Sequence, residues 1–214
     1  MLTLYDYLPS QNAWKVRQLL HHIGMPHRTE PVSIFEGEGR RDAFLRISPT
    51  GTVPAIELDD GRALAESNAI LCFLADGTPY LPGDAFAQAK VWQWLSFEQE
   101  RIESQVGALR HWTLTAKLAR RAPALVEAKR RGAQRALEIL DAQFAQRDFI
   151  AGSGYSVADI ALFAYASRAD EVDGLSLRPH AHLRAWIERV RAQPGFLDET
   201  FPYSIDPHST RDLP

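Results

Sequence analysis

The chain of 214 residues has a single cysteine, Cys72, which excludes an internal disulfide and fits a reducing, cytoplasmic setting. No stretch approaches the ~20 apolar residues that a membrane-spanning helix needs. Neither sign of charge dominates. Lys and Arg number 24 against 27 Asp and Glu, a net −3 that gives no electrostatic case for nucleic acid or an anionic membrane. Met1-Leu2-Thr3-Leu4-Tyr5 has neither a charged start nor a long apolar run, so no signal peptide is expected. The seven histidines are scattered, and His21-His22 are adjacent rather than at helical ligand spacing, so no metal is implied. Repeats and low-complexity segments are also lacking.

What is present is an alternation of strand and helix signals over the first 76 residues. Leu2 and Leu4 mark a short strand, and Ala13, Val16, Leu19, Leu20 and Ile23 follow helical spacing up to a stop at Gly24. Pro26 to Ser33 reads as a second strand weakened by Pro31, and Arg40 to Ile47 as a short helix ended by Ser48-Pro49. Ala55–Leu58 and Arg62–Leu64 flank Asp59-Asp60-Gly61, a hairpin signal, before a helix from Ser67. Residues 77–84 are rich in breakers and read as a linker.

Beyond the linker every periodic segment is helical: about Ala85–Thr115, Ala124–Ala145, Val157–Ala169 and His182–Ala192. Ser156-Val157-Ala158-Asp159 is a capping box that starts a buried helix. Arg120-Arg121 and Lys129-Arg130-Arg131 read as a solvated helix face, and Phe196 to Pro214 as an irregular tail that packs or frays. The domains predicted are 1–76, a linker at 77–84 and a helical domain at 85–214.

Ser48-Pro49-Thr50-Gly51-Thr52-Val53-Pro54-Ala55-Ile56 is the most informative stretch. Pro54 before a short apolar run belongs at a strand entrance or special turn, since it cannot donate to a ladder. A cis Val53-Pro54 bond would turn the Val53 backbone outward and offer its N–H and C=O to a ligand. Glu66-Ser67 opens a helix whose free N–H groups favour a bound carboxylate. The two segments together suit a small peptide-like molecule. Ser10 and Asn12, in the turn before the first predicted helix, are good N-caps and on that ground alone need no catalytic role.

These motifs, with Leu64-Ala65-Glu66-Ser67-Asn68-Ala69-Ile70, Phe97-Glu98-Gln99, Arg110-His111-Trp112 and Tyr155-Ser156-Val157-Ala158-Asp159-Ile160-Ala161, resemble the glutathione S-transferase superfamily. The resemblance runs from Leu2 to about Leu197 and is most similar to bacterial, serine-type (theta- or nu-like) members. It implies an α/β thioredoxin-like N-terminal domain followed by an all-α C-terminal domain, glutathione as cosubstrate, a small hydrophobic electrophile and a cytoplasmic homodimer.

The resemblance also implies residue roles. Ser10 stands where serine-type members place their thiolate-stabilising serine, and Asn12 where some bacterial members use asparagine. Tyr7, and less well Tyr5, keep a tyrosine alternative open. Val53 and Pro54 would present main chain to the cysteinyl unit; Glu66 would take the γ-glutamyl ammonium and Ser67 its carboxylate. Arg40 or Arg41 would meet the glycine carboxylate, unless both are simply solvated. Cys72 falls mid-helix and reads as an inert thiol. Phe97, Arg101, Val106, Arg110 and Trp112 are candidates for the electrophile pocket, although helical spacing cannot put all of them on one face. Glu103 and Arg110, seven apart, are candidates for an ion pair. Conjugation is the first reading of function. Glutathione-dependent reduction of disulfides or peroxides, and a non-catalytic binding module, are the alternatives.

Overall fold

A computed structural model describes residues 1–152 and 154–213, which form two compact units. Residues Met1–Asp76 and Leu197–Pro214 make the first, and Gly77–Phe196 the second.

In the first unit a four-stranded sheet has the order β2-β1-β3-β4: β1 is Leu2–Asp6, β2 His27–Pro31, β3 Ala55–Glu57 and β4 Ala63–Ala65. β2 runs parallel to β1; β3 is antiparallel to both β1 and β4. With α1 (Gln11–His22), α2 (Asp42–Leu45) and α3 (Ser67–Ala75), this is the expected mixed α/β, thioredoxin-like layer. β1 is central and covered on both faces, so Thr3 and Asp6 are buried along with Leu2 and Leu4. Leu4, Val16, Leu19, Leu20, Ile56, Ile70 and Leu71 are core residues. Val32, Phe44 and Ala55 form a smaller cluster with Tyr5, Ile34, Ile47, Val53 and Ala65. Pro31 is tolerated because it ends an edge strand.

Two expectations change here. The helix expected over Arg40–Ile47 is split into a 3₁₀ turn, Glu38–Arg40, and the single turn of α2, with Arg41 extended between them. The tail Leu197–Pro214, expected with the helical domain, packs with the first unit instead. The reason is polar matching: Trp14 Nε1 donates to the Leu197 carbonyl at 3.2 Å, and the Leu197 N–H donates to Gln18 Oε1 at 2.7 Å.

The second unit is helical: α4 (Ala85–Phe97), α5 (Ala108–Leu114), α6 (Pro123–Phe144), α7 (Val157–Ala166) and α8 (Ala181–Arg191). The rod expected over Ala85–Thr115 forms, but its middle, Glu98–Gly107, is wound as a wider π-helix between α4 and α5. Small residues bring neighbours close to that segment. A Cβ on Gly107 would come within 3.0 Å of Tyr165, and one on Gly132 within 3.1 Å of Gln105.

The capping box at Ser156 is present, and its aspartate does more than cap. Asp159 is fully buried and accepts four hydrogen bonds: from the Ile150 N–H at 2.9 Å, Trp186 Nε1 at 3.0 Å, and the Ser156 N–H and hydroxyl at 3.1 and 3.0 Å. Burial outweighs these donors and pushes its carboxyl up to about 6.

Candidate active site

Four segments of the first unit carry the predicted site residues. The first is the turn from β1 into α1. The Ser10 N–H donates to the Tyr7 carbonyl at 2.8 Å, which closes the turn, and the Ser10 hydroxyl caps α1 by accepting from the Ala13 N–H at 3.2 Å. A hydroxyl that accepts one bond keeps its proton to donate elsewhere. Capping α1 and stabilising an anion are therefore compatible roles for Ser10. The hydroxyl is half-buried and sits at the helix N-terminus, where the dipole favours negative charge.

The second segment is the loop into β3. Ser48 is buried and staples it: its hydroxyl donates to the Thr52 carbonyl at 2.9 Å and accepts from the Thr52 N–H at 3.2 Å. Gly51, at φ 69°, lies so close to Gly39 that a Cβ on either would be 2.4 Å from the other's carbonyl oxygen. The Val53-Pro54 bond is cis. Pro54 is buried and Val53 half-buried, and no backbone hydrogen bond engages Val53 among the described residues.

The third segment follows from strand register. Ala55 pairs with Ala65, so the chain leading into β3 runs beside Glu66-Ser67 as β4 passes into α3. Glu66 has φ 70° and ψ 112°, a conformation that L residues rarely adopt. Such outliers cost about 1–3 kcal/mol each and cluster at ligand-binding positions. Ser67 is buried at the first turn of α3 and donates to Asn12 Oδ1 at 3.4 Å, so Asn12 and Ser67 meet across α1 and α3.

The arginines supply the fourth segment, and they differ. Arg40 donates to the Thr50 carbonyl at 2.9 Å, on the loop that leads to Val53. Arg41 is exposed and pairs with Glu38 at 2.9 Å.

Tyr7 and Tyr5 are engaged elsewhere. The Tyr7 hydroxyl donates to Asp206 Oδ2 at 3.0 Å, and burial together with that carboxylate pushes its ionisation far above the usual phenol range. Tyr5 donates to Glu57 at 2.7 Å, and burial, then the carboxylate, pushes it up to about 12. Cys72 is half-buried within α3 and is in no disulfide.

In the second unit Val106 and Arg110 are buried, whereas Arg101 is exposed and pairs with Glu100 at 3.1 Å. Arg110 meets Glu171 at 2.5 Å, and Trp112 is flanked by Arg121 and Lys129 at 5.0 and 5.8 Å from its ring centre. Among the described residues no cluster of three or more metal-ligating side chains occurs, and no helix is long and apolar enough to cross a membrane.

Sequence reasoning missed the support beneath the Ser10 turn. Arg17 binds both oxygens of Asp6 and donates to the Leu8 carbonyl at 3.1 Å, while Glu199 lies 3.4 Å from its Nε. An acid before the turn and a base seven residues after it were the local signal available.

Residues 9–76 match the family profile described as Glutathione S-transferase, N-terminal domain, and residues 100–194 match Glutathione S-transferase, C-terminal domain. Glutathione S-transferase 3 of Zea mays is 29% identical over 204 residues, covering 91% of each chain. Disulfide-bond oxidoreductase YfcG of Escherichia coli is 29% identical over 202 residues, covering 91% of this chain and 92% of that one. A glutathione S-transferase from Xanthobacter autotrophicus is 34% identical and superposes with a TM-score of 0.89, covering 96% of this chain and 99% of that one. A glutathione transferase family member from Pseudomonas fluorescens, solved with two glutathione bound, is 27% identical with a TM-score of 0.77, covering 91% and 89%. With both of its halves matched, in order and over most of their length, the chain belongs to the glutathione S-transferase superfamily.

Proposed function

We propose that this chain is a glutathione transferase, which lowers the pKa of bound glutathione's thiol through the Ser10 hydroxyl and conjugates the thiolate to an apolar electrophile. The observation that carries this reading is the state of Ser10. Its oxygen accepts from Ala13, and its proton has no acceptor among the described residues. A free thiol near pKa 8.5 is only a few per cent ionised at pH 7, and lowering that value by two units takes about 2.7 kcal/mol. A charge-assisted hydrogen bond and a helix N-terminus supply an amount of that order. Asn12 is the second candidate for the task, held by Ser67. Tyr7 is disfavoured, because its hydroxyl already donates a hydrogen bond to Asp206.

In this reading Val53 pairs its main chain with the cysteinyl unit, with Pro54 holding that edge. The Ser67 N–H and hydroxyl take the γ-glutamyl carboxylate, and Glu66 takes the ammonium. Arg40, tied to the Val53 loop, is better placed than Arg41 for the glycine carboxylate. The enzyme works in the cytoplasm as a homodimer, in detoxification.

The similarity to a disulfide-bond oxidoreductase favours a second reading, glutathione-dependent reduction of disulfides by the same thiolate. One comparison tests both. Ser10→Ala should cut conjugation of an aromatic halide at least about tenfold, equivalent to about 1.4 kcal/mol, while retention on immobilised glutathione persists. Equal loss of retention would make Ser10 a cap and nothing more. Wild-type protein that reduces a mixed disulfide but leaves the halide untouched would select the reductase. Retention with neither activity would leave a binding module.

A further inference from the structure

The second unit holds a groove of about 710 Å³ that the glutathione reading does not use, and no residue of the first unit lines it. It forms where the long rod ends. α5 stops at Leu114, and Ala116, at φ 56°, turns the chain through the left-handed region. The Lys117 N–H closes that turn on the Trp112 carbonyl at 2.8 Å. A 3₁₀ turn, Leu118–Arg120, then leads to Pro123, which opens α6. Ala116, Leu118, Ala119, Pro123 and Val126 give the groove apolar walls, and its volume lies within the range of small-molecule sites. The body of an occupant is therefore apolar.

Three charged side chains line the groove, and one of them has no counter-charge. Glu127 pairs with Arg131 at 3.3 Å, and Arg130 with Asp173 at 3.2 Å. Arg121 makes no hydrogen bond or ion pair among the described residues. Its Nε is buried with no partner, and its guanidinium carbon lies over the Trp112 ring, 5.0 Å from the centre. A guanidinium laid over a ring keeps its in-plane N–H groups for an acceptor.

The surroundings do not supply the missing anion. Lys129, 5.8 Å from the same ring centre, gives its ammonium to the Ser104 carbonyl at 2.6 Å. α6 starts after Ala122 with no side-chain cap and no acid in its first turn, so the positive end of its dipole is unopposed at this wall. Burial, then the cations Lys117, Arg121 and Arg110, hold His111 down to about 4, so it stays neutral in this positive field. Arg121, which the sequence reads as part of a solvated face, is instead set half-buried into an apolar wall.

We infer that this groove binds a small apolar carboxylate, independently of glutathione. The carboxylate pairs with the Arg121 guanidinium near the uncapped start of α6, and the apolar body lies on Leu118, Pro123 and Val126.

The test is calorimetry on the full-length protein with three probes of one shape: 6-phenylhexanoate, 6-phenylhexanol and 6-phenylhexylammonium. The carboxylate should bind about tenfold more tightly than the alcohol, the gain of a charge-assisted hydrogen bond, with the ammonium weakest. Arg121→Gln should erase that preference and leave the alcohol unchanged. Arg120→Gln, one residue away and outside the lining, should keep it. Leu118→Ser should weaken carboxylate and alcohol alike. An alcohol that binds as tightly as the carboxylate, a preference that survives Arg121→Gln or falls as far in Arg120→Gln, or no heat from any probe would overturn the proposal. The titrations contain no glutathione, so their failure leaves the transferase reading standing, and failure of glutathione to bind leaves this site standing.

Discussion

Arg17 grips the carboxylate of Asp6 with one nitrogen, its Nη1 lying 2.7 Å from Oδ1 and 2.8 Å from Oδ2, and both side chains are buried. The pair joins the end of β1 to the middle of α1, and Ser10 lies in the turn between them. Removing the base leaves an acid with no counter-charge in a dry place. Arg17→Ala should destabilise the protein by about 3–5 kcal/mol, read as a lower urea midpoint. Adding Asp6→Asn to that variant should recover part of the loss, since the stranded charge is then gone.

Glu66 offers a trade between stability and binding. Glycine adopts its φ of 70° without steric cost, so Glu66→Gly should raise the unfolding free energy by about 1 kcal/mol. The same change deletes the carboxylate proposed for the γ-glutamyl ammonium. Glutathione affinity, measured by calorimetry, should fall while the melting temperature rises.

Two glycines with positive φ separate conformation from space. Gly61, at φ 83° in the β3–β4 hairpin, has nothing within 4 Å of a built Cβ. Gly61→Ala should therefore lose only the left-handed cost of about 1–2 kcal/mol. Gly51 shares the positive φ but also abuts the Gly39 carbonyl. Gly51→Ala should cost clearly more in the same denaturation series, and it should weaken glutathione binding, because the displaced loop carries Val53.

Asp159 imposes a pH dependence with an unusual sign. Its carboxyl, near 3.8 in an unfolded chain, is pushed up to about 6 by burial. The unfolded state therefore loses this proton first. The contribution to stability is fully present below about pH 4 and is lost as pH rises through about 6. Asp159→Asn, similar in size and without a charge, should flatten that part of the melting-temperature profile between these limits. A profile with the same slope in both proteins would refute the assignment.

The parts of the site that could be read from sequence are those whose signal is local. Ser48 through Ile56 carries its own staple, glycine and prolines, Glu66-Ser67 opens a helix at once, and Ser156 meets Asp159 within one turn. The alternation of strands and helices in the first unit was legible for the same reason, while its thioredoxin-like fold was implied by the resemblance. What stayed hidden depends on partners far apart in the chain. Nothing near Tyr7 announces Asp206, and nothing near Trp14 or Gln18 announces Leu197. The widened segment Glu98–Gly107 was hidden differently. Leu95, Ile102, Val106 and Leu109 keep a helical apolar rhythm through it, and so periodicity reads one uninterrupted rod. The helix expected from Arg40 is split at an extended Arg41, just after Gly39 packs against Gly51, a pairing that the local pattern does not encode.

The return of Leu197–Pro214 to the first unit has a consequence for synthesis on the ribosome. Domains generally fold as units and in the order they emerge. Here the unit begun first is finished last, since the Trp14 indole and the Gln18 amide wait for a backbone translated after every major helix. Gly77–Phe196 has emerged while the first unit still lacks its closing strap, so a chain cut after Phe196 loses contacts of the first unit rather than of the helical one.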